Sequence, residues 1–428
     1  MVTLSKLQIG RYRNVVPDTS LRFTRGTNIL LGPNGGGKTT LLNLISMVLS
    51  SDFSRVENEP LSVSYSLEFA TCTLDVKLDI QPAPLPVRPG IAEETIREPA
   101  EYEYSIRLRD AETGVELTAI GNRAGMRHGN ESKLRPAIPP FIPNFIVGVV
   151  ALPLLQGRQG PARDAALKLM AALSWGVPRF DESLDGFEAM SGIVAQGRSG
   201  LPASMGFLIV QQKRLVIAHR SQGIPREIIS CVRKQLDSGT VPSSVVLSHE
   251  QLHFLRSAVQ MMGFPAGEYV AELQRKQSLA DGSEELQYGQ FGFRFSRADG
   301  SFLREGLLSY GQKRLLAFLY YLGMCPDSVI ADELVNGFHH AWIARCVELI
   351  GKRQAFLSSQ NPLLLDHLEF TSARDVRTRL IQCRLKDTSS GPQMVWGNMA
   401  LREAQSFYSA YTAGIEHVGE ILRSRGLW

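Results

Sequence analysis

The first half of the chain alternates apolar and polar positions with a period of two, and the last third mixes short apolar runs with helical spacing. Leu4 to Ile9 and Leu21 to Phe23 alternate, and Asn28-Ile29-Leu30-Leu31 is a short apolar run ending at glycine. Leu41, Leu42, Leu44, Ile45, Val48 and Leu49 then recur at helical spacing, so this stretch predicts strands, a loop and a helix. Residues 61–80 and 102–120 alternate again, with Tyr102, Tyr104, Ile106 and Leu108 on one face, which predicts an antiparallel sheet. Between them, residues 81–100 hold five prolines and read as a loop. The apolar run from Phe141 to Leu152 predicts a buried strand, preceded by a proline-rich boundary at 136–143.

From about 161 to 280 the spacing becomes helical and is interrupted by Gly and Pro. Ser248 with Gln251 three residues on is a capping box, predicting a helix to about Met262. Residues 285–296 return to strand alternation. Helix 311–323, strand 328–332, helix 338–351 and strand 354–358 follow, an order that predicts a parallel sheet with helical cover. The last 28 residues read as helices. The expected organisation is an α/β protein with an N-terminal lobe over 1–155, a helical insertion over 156–284 and a C-terminal lobe over 285–428.

Composition narrows the class. With 428 residues, two or three packed units are expected at ~150 residues per domain. A hydrophobic fraction of 44% and a charged fraction of 21% exclude global disorder. The net charge of +4 is too near neutral to mark a nucleic-acid binder by itself. No apolar run reaches 18 residues and the N-terminus lacks a signal-like core, so no membrane partner is expected. Five scattered cysteines without a CxxC fit packing roles in a reducing cytoplasm.

The chemistry concentrates in three segments. Gly32-Pro33-Asn34-Gly35-Gly36-Gly37-Lys38-Thr39-Thr40 matches G-x-x-x-x-G-K-[ST] between a predicted strand and a predicted helix. Glycines let successive N–H groups turn around phosphate oxygens, and the helix N-terminus favours negative charge. Lys38 can reach the β/γ-phosphates of ATP, and the Thr39 hydroxyl can ligate Mg²⁺. Ser328-Val329-Ile330-Ala331 leads into Asp332-Glu333, a metal-binding carboxylate followed by one that can polarise water. Leu308-Ser309-Tyr310-Gly311-Gln312 lies about twenty residues upstream.

Here the sequence resembles the ABC-type ATPases, whose signature reads LSGGQ; four of five positions match, with Tyr310 in place of a glycine. The resemblance implies that Ser309 and Gly311, together with Gln312, act across a homodimer or larger homo-oligomer with ATP sandwiched between protomers. Lys38 and Ser309 are 271 positions apart, too far for a compact transporter subunit. The segments Leu7-Gln8-Ile9, Arg13-Asn14 and Asn28 to Gly35 look like the RecF/SMC/OLD branch, as do Asp332-Glu333…Asn336-Gly337-Phe338-His339 and Ser358-Ser359-Gln360-Asn361-Pro362-Leu363-Leu364-Leu365. That branch implies an ATPase head with a mixed sheet and an antiparallel β subdomain. Gln360 stands where the family carries a switch histidine, implying slow turnover. Gln156 or Gln159 is implied as a further Mg²⁺ ligand, and Arg11 and Arg13 as residues flanking the nucleotide. The 67 residues after Asn361 hold no Asp-x-Asp, so the nuclease domain of OLD enzymes is not expected. The chain looks closer to ATPase subunits of antiphage systems such as Septu and PARIS, with a nuclease or toxin as separate effector. A RecF-like DNA-repair role is the alternative.

Two other features carry their own readings. His249-Glu250-Gln251-Leu252-His253 matches HExxH and, with Glu272, could make a zinc protease site on a helix. Residues 211–235 carry Lys213, Arg214, Arg220, Arg226, Arg233 and Lys234 against Glu227, a candidate nucleic-acid surface.

Overall fold

The computed structural model describes residues 1–82, 99–129, 131–151, 160–173, 176–181, 207–211, 214–218, 224–237, 243–278, 284–359, 362–389, 391–414, 417–424 and 426. Its contacts fall into two units. The first comprises Met1–Arg179, Asp327–Asp332 and Lys352–Trp428; the second comprises Phe180–Pro326 and Glu333–Gly351.

The first unit holds two sheets. One has seven antiparallel strands in the order β2 (Thr19–Arg22), β1 (Val2–Tyr12), β4 (Leu61–Phe69), β5 (Cys72–Gln81), β6 (Glu101–Asp110), β7 (Glu116–Asn122) and β8 (Gly125–His128). Strict alternation along β4 and β6 buries Leu61, Val63, Tyr65, Leu67 and Phe69 with Tyr102, Tyr104, Ile106 and Leu108 on one face. These side chains share a core with Leu41, Leu42, Leu44, Ile45 and Val48 of the helix Lys38–Ser50.

The second sheet runs β19 (Gly391–Asn398), β18 (Leu380–Thr388), β3 (Thr27–Leu31), β17 (Gln354–Ser358), β16 (Ser328–Ala331) and β9 (Arg179–Phe180). β3 is parallel to both β18 and β17, and β17 is parallel to β16. The parallel strands β16 and β17 are buried throughout, as strands covered on both faces must be. Polar side chains in this interior are paired: Gln354 accepts from the Leu4 N–H at 2.8 Å and donates to the Leu4 and Thr24 carbonyls, each at 2.8 Å.

The second unit is built on an antiparallel sheet, β11 (Arg214–Ala218), β10 (Phe207–Gln211), β14 (Glu284–Ser296), β13 (Ala266–Ser278) and β12 (Ser244–Ser248), with β15 (Phe302–Arg304) paired to β14. Helices Arg226–Asp237, His253–Met262, Tyr310–Met324 and His340–Ile350 accompany it. Its interior is aromatic: Phe254, Tyr269, Phe293 and Tyr320 meet ring to ring at 5.4–6.2 Å.

Three expectations are corrected. Residues 147–151 of the predicted strand Phe141–Leu152 form a turn of π-helix, with Val149, Val150 and Ala151 in the core. A β-branched apolar run satisfies a buried helical turn as well as a strand. The stretch 156–284 is not simply helical, because β10 to β13 lie within it. The helix expected from Ser248 begins at His253: Ser248 ends β12, and its N–H donates to Gln251 Oε1 while the Gln251 N–H donates back to the Ser248 carbonyl. That reciprocal pair closes a turn rather than a helix.

Asp110, buried at the end of β6, accepts from the Thr71 hydroxyl at 2.6 Å and from Lys168 Nζ at 2.9 Å. The Thr71 bond, then the Lys168 bond, hold its carboxyl well below the usual carboxylate range. A depressed folded value contributes stability that is complete above about pH 4 and is lost as pH falls through the folded value. Asp110→Asn is therefore expected to flatten the fall of the urea midpoint between about pH 6 and pH 3; an unchanged slope would contradict this.

Candidate functional site

The glycine loop follows β3 directly and opens the helix Lys38–Ser50, as the motif requires. Three of its glycines are imposed by local geometry. A Cβ on Gly32, at φ 144°, would lie 1.8 Å from the Cys383 carbonyl oxygen of β18, and one on Gly36 would lie 2.5 Å from it. Gly37 caps the helix at φ 84°, where a Cβ would meet Met394 Sδ at 2.1 Å. Trp396 Nε1 donates to the Gly36 carbonyl at 3.1 Å, so β18 and β19 back the loop from behind. Pro33, Asn34, Gly35 and Thr40 complete it, Gly35 at φ 81°.

Lys38 is buried, and its Nζ donates to the Gly32 carbonyl at 2.8 Å and the Pro33 carbonyl at 3.3 Å. The ammonium thus rests inside the curl of its own loop. Thr39 Oγ1 donates to Asp332 Oδ2 at 2.6 Å, across 293 positions of sequence. Asp332 follows β16 and is 6% exposed. The Ser358 hydroxyl, at the end of β17, donates to Asp332 Oδ1. Arg179 of β9 reaches Oδ2 at 2.5 Å. The glycine loop, Asp332 and Ser358 therefore all lie at the carboxyl ends of the parallel strands β3, β16 and β17, where open α/β sheets place their ligands.

Neither Arg179 nor the role of Ser358 is visible as a motif. Arg179 sits on a strand of two residues that leaves no periodic signal, and Ser358 appears in the sequence only as part of the segment preceding Gln360. The remaining expected residues fall as follows. The Arg13 guanidinium is held bidentately by Glu59, at 2.8 and 3.1 Å, and lies 5.3 Å from the centre of the Tyr12 ring. Gln156, Gln159 and Gln360 lie outside the described residues, as do Lys213 and Arg220 of the basic stretch; Arg226 and Lys234 are exposed on a helix.

The second unit carries the signature segment. Ser309 is the N-cap of the helix Tyr310–Met324: its hydroxyl accepts from the Gln312 N–H at 3.3 Å, and Gln312 Oε1 accepts from the Ser309 N–H at 3.0 Å. Gly311 must stay small, because a Cβ there would lie 2.6 Å from the Gly337 carbonyl oxygen. Glu333 is buried with φ 49°, in the left-handed region that side chains rarely adopt. The zinc reading loses its geometry: His249 and Glu250 lie in the turn ahead of the helix that starts at His253. The Gly267 N–H approaches His249 Nδ1 at 3.4 Å, and the His253 N–H donates to Glu227. No cluster of three metal-ligating side chains occurs among the described residues.

Asp332 has partners from three separate segments. Removing the cation should leave a buried carboxylate short of its counter-charge. Arg179→Ala is expected to lower stability without nucleotide by about 2 kcal/mol. The loss should shrink in an Asp332→Asn background, and urea unfolding of the four proteins measures it. Equal losses in both backgrounds would show that the two side chains are not coupled.

Residues 6–122 match the AAA domain family, a span that includes the whole glycine loop. None of the curated proteins matches the chain. Among solved structures, the SMC head domain from Thermotoga maritima aligns over 92% of this chain and 98% of its own at 12% identity, with a TM-score of 0.35. The Smc head domain bound to the C-terminal domain of ScpA, from Pyrococcus furiosus, covers 96% and 100% at 12% identity and 0.39. The recombination mediator RecF covers 93% and 98% at 11% identity and 0.33. None of the three reaches a TM-score of 0.5, and the functional reading rests on the chain's own residues. The match to the AAA domain family spans residues 6–122 and takes in the glycine loop at the end of β3, whose Thr39 is bonded to Asp332 of the acidic strand end.

Proposed function

We propose that this protein is an ABC-type ATPase of the RecF/SMC/OLD kind, binding ATP with Mg²⁺, hydrolysing it slowly, and assembling through nucleotide held between protomers. The observation that carries the reading is the hydrogen bond from Thr39 to Asp332, which joins the glycine loop to the acidic strand end. The donor set suits a magnesium nucleotide. Glycine at 32, 36 and 37 lets the loop seat directly against β18 and β19 with its main chain free of side chains there, and a hydroxyl and a carboxylate form a hard oxygen pair. Mg²⁺ would be held by Thr39 and Asp332 and would supply neutralising charge to the phosphates. Lys38 would exchange its loop carbonyls for phosphate oxygens. Glu333, the next residue after Asp332, would orient the attacking water and accept its proton. Ser309 and Gly311 would meet the nucleotide of the partner protomer, and Gln312 would keep the Ser309 cap in place.

The finer part of the proposal is that ATP-dependent assembly controls a separate nuclease or toxin in antiphage defence. Its support is the likeness of the segments around Asp332-Glu333 and Ser358 to Leu365 to OLD-type ATPases. An assembly that forms with ATP and relaxes after hydrolysis is a two-state signal that an effector can read.

Light scattering and phosphate release, with and without MgATP, test the core of this. Glu333→Gln should keep nucleotide binding, lose hydrolysis by roughly 10²–10⁴-fold and enrich the assembled form. Lys38→Ala should lose nucleotide and ATP-dependent assembly together. Hydrolysis by Glu333→Gln at the wild-type rate would remove the base assignment. ATP-responsive assembly of Lys38→Ala would remove the sandwich, and activity that depends on duplex DNA would favour the RecF-like role.

A further inference from the structure

We infer that Arg314 is a positioning residue that ties the signature helix to the main chain of Glu333 within one protomer. The inference rests on the proposed role of Glu333 as the residue that orients water. Arg314 lies five residues after the N-cap Ser309 and is fully buried, with an exposure of 0%. Its Nη1 donates to the Asp181 carbonyl at 2.9 Å, and its Nη2 donates to the carbonyl of Glu333. The rings of Phe180 and Phe338 lie 5.1 and 5.9 Å from the guanidinium carbon.

A buried charge is retained only where its surroundings compensate it, and here two main-chain carbonyls and two aromatic rings do so. A lysine is a point charge on a flexible stem and cannot reproduce the planar fork. The carbonyl that the fork grips belongs to a residue in a strained conformation. Glu333 sits at φ 49°, and its oxygen also accepts from the Asn336 N–H at 3.3 Å. Strain of this kind persists only where the surroundings over-determine the backbone.

The same helix touches the same loop twice more. The Tyr310 ring packs so close to Gly337 that a Cβ there would be 2.8 Å from it, and Gly311 abuts the Gly337 carbonyl. The first turn of the signature helix and the loop 333–338 therefore move as one piece. A displacement of Ser309 on meeting a nucleotide is passed through Arg314 to the backbone that aims the Glu333 carboxylate. Tyr310, where the ABC signature has glycine, adds a contact to this linkage rather than merely interrupting the motif.

The test uses Arg314→Lys and Arg314→Met, each alone and combined with Glu333→Gln. Fluorescent-nucleotide binding, steady-state hydrolysis and urea unfolding are measured on the full chain. For Arg314→Met, kcat should fall roughly 10²-fold, at the low end of what losing a positioned base costs, with nucleotide affinity within about twofold of wild type. Arg314→Lys should recover part of that loss, and neither change should lower the residual rate of Glu333→Gln further, because nothing remains to be aimed. Wild-type kcat in Arg314→Lys and Arg314→Met, with Glu333→Gln inactive, would overturn the inference and leave the base assignment standing. Hydrolysis by Glu333→Gln at the wild-type rate would instead remove the reading on which it rests. An Arg314→Lys protein that fails to fold, or that loses nucleotide binding along with hydrolysis, would assign the arginine to stability and overturn its positioning role.

Discussion

A carboxylate removed from water is tolerated only with partners, and the partners of Asp332 organise the site of the first unit. Thr39 comes from the helix after β3, Ser358 from the end of β17, and Arg179 from β9. Each lies on a different segment, so the carboxylate can be satisfied only when the three strands β3, β17 and β16 are in register and β9 closes the edge. The P-loop is held on its other side by β18 and β19, where the Cys383 carbonyl and Met394 leave room for glycine alone. Fold and site are therefore the same constraint seen from two directions.

The site and the signature use buried charge differently. Asp332 gathers side-chain donors and a counter-ion, an arrangement suited to accepting a metal. Arg314 gathers main-chain carbonyls and aromatic faces, an arrangement suited to holding a backbone in place. Under the proposed function, the first would prepare the site electrostatically for phosphate chemistry, and the second would support the backbone of the residue that follows Asp332.

Local motifs were legible in the sequence because their physics is local. A glycine loop needs its glycines in consecutive positions, and Ser309 with Gln312 caps a helix three residues apart; both survive folding unchanged. The parallel strands 328–331 and 354–358 were readable because burial on both faces demands unbroken apolar runs. The second unit was not legible in this way. Phe207–Gln211 is a short apolar run that lies between Arg214–Ala218, next to it in sequence, and Glu284–Ser296, far away in sequence, and the second pairing is invisible in the local pattern. The Ser248–Gln251 pair shows the converse, since the residues of a capping box also close a turn after a strand. Arg179 and Arg314 carry no sequence signal, because their significance lies in the carboxylate and carbonyl that tertiary structure brings to them.

Under the proposed function, Asp332 is the protein carboxylate that receives the divalent metal of a bound nucleotide. Mn²⁺ in place of Mg²⁺ makes this directly observable by electron paramagnetic resonance, as free Mn²⁺ is titrated against protein and ATP. The wild-type protein is expected to hold Mn²⁺ with resolved coupling to ³¹P of the nucleotide. Asp332→Asn should weaken that binding at least tenfold while leaving the fold intact by circular dichroism. Equal Mn²⁺ affinity in the two proteins, with the same phosphorus coupling, would contradict the account.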